Sequence, residues 1–204
     1  MNNIRTIVNK FGELYSEELG IELDGKKEGE IFKWFLASLL FGKRIGEDLA
    51  VRTYKEFEKA GILSPQAIIE TGWDGLVHVL DVGGYVRYDF STADKLLEIM
   101  GQLLKEYGSL TGLHKKAKDA KDLENKLMEF KGIGSVTVNI FLRELRHVWP
   151  KANPEINPYT KLAAKTLKID LKKLNRKSKD FVRLECALLR IGKNYIKKNK
   201  PLPV

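Results

Sequence analysis

Apolar residues recur three and four positions apart in six stretches of this chain: Ile31–Phe41, Ala50–Phe57, Leu96–Leu104, Leu123–Phe130, Val136–Val148 and Phe181–Ile191. On an α-helix of 3.6 residues per turn, that spacing lines up one apolar stripe facing a core. The nearest approach to strand-like alternation, "LVHVL" at 76–80, is too short to build a sheet. Local signals agree with helices. Ser64-Pro65 reads as an N-cap followed by proline in the first turn, and Ser91 or Thr92 precedes another helix. Gly61, Gly101 and Gly108 mark expected helix ends. The expected fold class is all-α, with many short helices.

With 204 residues, 43% apolar and 31% charged, the chain can bury a core as one domain or two small ones. The most apolar run, Trp34–Phe41, is too short to span a bilayer and is flanked by Lys33 and Lys43. Glu13, Glu17 and Glu18 interrupt any signal-like apolar core near the N-terminus. These features predict a cytoplasmic protein with no membrane partner, and a monomer is the expected state. Two breaks divide the chain: "ELGIELDGKKEG" at 18–29, and "WPKANPEINP" at 149–158, which holds three of the six prolines. They predict one helical domain over 28–149. A second domain, with a cleft between, would combine 1–27 with 150–204.

Cys186 is the only cysteine, which excludes an internal disulfide and any four-thiolate metal or iron–sulfur site built by this chain alone. His78, His114 and His147 show no ligand spacing, so no metal and no cofactor are expected. The net charge of +9 is uneven. From Lys161 onward there are 14 Lys and Arg against 3 Asp and Glu, whereas the first 160 residues carry 22 against 24. An excess confined to one end predicts a basic face and a polyanionic partner. A merely solubilising lysine-rich tail is the ordinary alternative.

The segment "FKGIGSVTVNIFLREL" (130–145) interrupts the helical pattern with a Gly-Ile-Gly joint. Glycine permits positive φ and close approach to the main chain. Beyond it, Ser135 opens a new helix, whose first N–H groups have no helical acceptor and lie at the positive end of the helix dipole. Such backbone suits a phosphate. Ile133 is expected to point into the core. Lys131, Gly132, Gly134, Ser135 and Thr137 are the expected contact residues, with Lys131 adding charge.

Leu123, Leu127, Phe130 and Ile133 on one side, with Val136, Ile140 and Phe141 on the other, make this joint resemble a helix-hairpin-helix motif. That motif grips the DNA backbone without reading sequence. Together with "FLASLLFGKRIGEDLAVRTYKEFEKAG" (35–61) and "LVHVLDVGGYVRYDFSTADKLLEI" (76–99), it resembles the helix-hairpin-helix (HhH-GPD) DNA glycosylase superfamily, endonuclease III-like branch. The similarity covers about residues 30 to 165. It implies a two-lobed all-α fold, damaged or distorted double-stranded DNA as partner, and base excision by hydrolysis of a glycosidic bond after base flipping. The family's iron–sulfur loop is absent. Gly42-Lys43-Arg44 falls in the loop that enters DNA near the flipped nucleotide. Lys43 is a candidate for phosphate contact, for filling the vacated base site, or for a displaced nucleophile, and Arg44 for DNA contact. Tyr85 is a candidate base-stacking or wedge residue, against a packing role beside Trp73.

The chain departs from the family at the chemistry. The hairpin position that carries a Schiff-base lysine in bifunctional members is Val136, which removes lyase chemistry by that route. The family's catalytic carboxylate maps onto "ANPEINPYTKLAAK", where one register offers Asn157 and another Glu155. Asparagine hydrogen-bonds but brings no charge. Glu155 brings one, although an exposed loop carboxylate is its ordinary reading. Three functions therefore remain open: a monofunctional glycosylase-like DNA-repair hydrolase, a non-catalytic DNA-binding or scaffold protein of the same fold, and an RNA-binding protein.

Overall fold

A computed structural model describes residues 2–43 and 45–202, and these are all-α, with no strand among them. The chain divides into two compact units, Ile21–Phe141 and Met1–Gly20 with Leu142–Val204. The boundaries lie at 20/21 and 141/142, not at 27/28 and 149/150 as the sequence breaks suggest. The second one falls inside a helix instead of in the proline-rich segment. The reason lies in Glu144 and Arg146, whose buried partners all belong to the terminal unit.

The continuous unit comprises α3 (Glu28–Phe41), α4 (Glu47–Lys59), α5 (Pro65–Val82), α6 (Asp89–Tyr107), α7 (Leu110–Lys116), α8 (Ala120–Met128) and the start of α9 (Ser135–Glu144). α3 is apolar almost all round and runs through the middle, with Ile31, Phe32, Trp34, Phe35, Leu36 and Leu40 buried. The Trp34 indole donates to the Phe141 carbonyl at 3.0 Å, and the Phe35 ring meets Phe141 edge-on at 5.1 Å. At the other end of α3 the Glu28 carboxylate accepts the Leu110 and Thr111 N–H groups, at 2.8 and 3.0 Å, and so caps α7.

Ser64 caps α5 as its sequence suggests, accepting from the Ala67 N–H at 3.0 Å. The "LVHVL" segment lies within α5. Two expectations fail on α6. It begins at Asp89, ahead of Ser91 and Thr92, and it runs straight through Gly101 to a glycine cap at Gly108. An exposed mid-helix glycine costs about 1 kcal/mol relative to alanine. Burial of Ile99, Met100 and Leu103 on either side outweighs that cost.

The terminal unit comprises α1 (Asn2–Phe11), α2 (Tyr15–Glu18), α10 (Pro158–Thr166) and α11 (Lys179–Ile191). Ile7, Ala163, Ala164, Leu184, Ala187, Leu188 and Ile191 form its core. Two buried carboxylates tie it together. Glu144, fully buried, accepts the Tyr15 and Ser16 N–H groups at 3.2 and 3.0 Å. Glu185 pairs with Arg146 in a two-pronged bridge of 2.7 and 3.1 Å. Cys186 lies fully buried in this core with its thiol pushed well up by burial, a packing residue and no nucleophile.

Candidate nucleic-acid interface

α8 ends at Met128, and Phe130 turns into the core against Tyr107, with ring centroids 6.2 Å apart. The chain then reverses. The Ile133 N–H donates to the Phe130 carbonyl at 3.1 Å, Gly132 takes φ +75°, and the Ile133 side chain is buried. The Val138 N–H donates to the Gly134 carbonyl at 3.1 Å and closes the first turn of α9. Lys131, Gly132, Gly134, Ser135 and Val136 are exposed, while Thr137 is buried. Two apolar anchors, Phe130 and Ile133, thus hold a strip of exposed backbone at a helix start.

The two glycines have different reasons. A Cβ on Gly132 would sit 2.6 Å from Lys95 Cε, and its φ is one that side chains resist. Gly134 has no such constraint: a Cβ there meets nothing within 4 Å, and its φ is not positive. The protein's own packing does not demand glycine at 134. Its bareness leaves main chain open to an outside molecule.

Lys43 lies beside this strip. It shares a recess with Gly42, Thr92, Lys95, Gly132 and Thr137, whose floor is Leu39, Leu96 and Ile99. Gly42 lets α9 come close, since a Cβ there would overlap Thr137 Oγ1. The Lys43 ammonium is pushed down to about 8, first by burial and then by hydrogen bonding and repulsion from Lys95. Its Nζ lies 5.9 Å from the centre of the Tyr88 ring. The structure therefore brings together Lys43, Gly132 and Thr137. It adds Lys95 and Thr92, which the sequence reading missed because both look like ordinary positions on a helix face.

A lysine whose folded-state value lies below its unfolded one destabilises the fold at neutral pH, and that penalty fades as pH rises from 8 toward 10.5. Lys43→Met is accordingly expected to stabilise the protein by roughly 1 kcal/mol at pH 7, after allowing for solvent screening of a largely open group. The gain should shrink toward zero by about pH 10.5, as thermal melts across that range would read.

The other candidates lie elsewhere. Arg44 is outside the described residues. Lys131 is exposed and pairs with Glu98 at 2.8 Å, so part of its charge is already balanced. Tyr85 is a correction: it is 1% exposed and its hydroxyl donates to the Leu40 carbonyl at 3.0 Å, so in this form it presents no surface to a base. Its aromatic neighbour is Tyr88, at 6.2 Å, and not Trp73. Trp73 stacks obliquely on Phe90 at 5.1 Å, and both rings are exposed.

In the terminal unit Glu155 is exposed and bridges to Lys161 at 3.2 Å. Asn157 is the N-cap of α10, accepting the Tyr159 N–H at 2.9 Å. The basic excess after residue 160 is partly taken up by structure. Arg176 donates to the Pro154 carbonyl, Lys177 to the Trp149 and Pro150 carbonyls, and Arg190 to the Phe11 carbonyl and the Glu18 carboxylate. Among the described residues no group of acidic, histidine or cysteine side chains is arranged to hold a metal ion. No described helix is long and apolar enough to cross a membrane. The chain matches no protein-family model, and no curated protein matches it.

Proposed function

We propose that this chain is a double-stranded DNA-binding protein of DNA repair, built in the manner of the helix-hairpin-helix glycosylases. It grips the duplex backbone through the 131–137 hairpin with Lys43 alongside. The observation that carries the reading is the hairpin itself. Ile133 and Phe130 are buried anchors, and Gly134 leaves backbone bare where the fold does not require it. Exposed N–H groups at the start of α9, next to lysines, suit a phosphate better than any neutral partner. If it excises bases, it does so as a monofunctional hydrolase using the carboxylate of Glu155 or of another acid, without Schiff-base lyase chemistry, since Val136 is no nucleophile.

A second reading, binding without catalysis, draws on a specific observation. Both candidates for the catalytic side chain have local work, Glu155 on Lys161 and Asn157 as a helix cap. One set of assays separates the two. Duplexes carrying uracil, 8-oxoguanine, hypoxanthine or an alkylpurine are incubated with the protein and scored for released base. For the enzyme, release from at least one duplex is expected, and Glu155→Gln should abolish it while binding survives. Duplex binding that weakens steeply with salt, without release from any substrate, selects the binding protein. Absence of duplex binding at low salt would end both.

A further inference from the structure

The recess beside the hairpin holds two lysines and, among the described residues that line it, no acid. Lys43 and Lys95 line it together, and like charges in one recess repel. The carboxylates nearest along α6 are engaged elsewhere. Glu98 holds Lys131 at 2.8 Å, and Asp94 accepts the Trp73 indole N–H at 2.9 Å. Thr92, one turn before Lys95 on α6, is an independent sign. It lines the recess at 4% exposure, and its hydroxyl makes no hydrogen bond. Buried hydroxyls are normally satisfied, so this one, on a residue that lines a cationic recess, lacks an acceptor that the described residues do not supply. Gly132 completes the wall, its missing side chain giving Lys95 room to lie across the hairpin.

We propose that this recess is a phosphate-binding site, in which Lys43 and Lys95 supply the charge and Thr92 donates its hydroxyl to one oxygen of a tetrahedral oxyanion. A phosphate between the ammonium groups would relieve their repulsion and give the Thr92 hydroxyl its acceptor in the same step. Taking the phosphate from a nucleic-acid backbone rests on the DNA-binding reading above, but the site itself does not.

The test has two arms. In the first, the full chain is titrated with inorganic phosphate at constant ionic strength, and the amide resonances of residues 92–96 and 131–137 are followed. Saturable shifts are expected. Lys95→Gln should weaken them about tenfold or more, and Thr92→Val, which keeps the shape and removes the hydroxyl, by a few-fold. Shifts that rise linearly without saturating, or that saturate alike in Lys43→Gln/Lys95→Gln, overturn the site. In the second arm, duplex binding is measured against salt. The double variant is expected to lower the slope of log K on log salt by about 1 to 2. Duplex binding with an unchanged slope overturns the backbone as the source of the phosphate and leaves the hairpin reading intact. Saturable phosphate binding without any duplex binding upholds the site and removes the DNA-binding reading.

Discussion

Gly134→Ala is expected to weaken duplex binding about tenfold while leaving the melting temperature within a degree or two of the parent. Both halves follow from one piece of geometry. A methyl group at 134 meets no atom of the protein within 4 Å, and the backbone there needs no positive φ. The fold therefore has no reason to object, and alanine near a helix start is tolerated. A phosphate in contact with the main chain does have a reason. It would be pushed outward by the width of a methyl group, beyond hydrogen-bond reach of the first α9 amides. Gly132→Ala is the poorer experiment, because its φ of +75° and the overlying Lys95 make it costly to the fold before any ligand is considered. Fluorescence anisotropy with a labelled duplex, run beside a thermal melt, reads both quantities. A Gly134→Ala protein that binds as tightly as the parent would remove the hairpin from the interface.

The other large effect is expected in the terminal unit. Glu185→Gln should destabilise that unit by about 3 to 5 kcal/mol, the usual cost of stranding one member of a buried ion pair. Arg146 and Glu185 have side chains 0% and 1% exposed, so water cannot replace the lost charge. The damage should spread along the chain. Arg146 also donates to Asn153 Oδ1 at 2.8 Å and to the Pro154 carbonyl at 2.7 Å, which fixes the segment leading to Glu155 and the Asn157 cap. Chemical denaturation with a probe in that segment would measure it. Arg146→Met combined with Glu185→Leu should recover part of the loss, because two apolar side chains leave no buried charge. Recovery should stay incomplete, since Asn153 loses the Arg146 donor and the Pro154 carbonyl is left with Arg176 alone. If Glu185→Gln melts like the parent, the bridge is not what holds this unit.

The helices and the hairpin were readable along the chain because both are local. A stripe at helical spacing, or a Gly-x-Gly between two such stripes, needs only a dozen consecutive residues to show itself. Lys95 and Thr92 were not readable, because their significance comes from meeting Lys43, some fifty residues earlier, and Gly132, nearly forty later. Nothing in "STADKLLEI" distinguishes a lysine that faces another lysine from one that faces water. Tyr85 failed for a related reason. Sequence shows an aromatic beside two glycines but not which way the turn aims it, and here the turn aims it at the Leu40 carbonyl. The unit boundary was displaced for a third. Prolines mark where a helix cannot continue, whereas the division of the core depends on the partners of Glu144 and Arg146, which lie far off in sequence.

The terminal unit is assembled from the first twenty residues and the stretch beyond Leu142, and this discontinuity sets a schedule for synthesis. The continuous unit has all of its own residues in hand once residue 141 has cleared the ribosome. α1 must wait, its apolar face unsatisfied, until α11 emerges to bury Ile7 and Arg190 reaches back to the Phe11 carbonyl. At about 5 to 20 residues per second, that interval amounts to many seconds of exposed hydrophobic surface. A circular permutant that placed α1 directly after the last helix would abolish the wait.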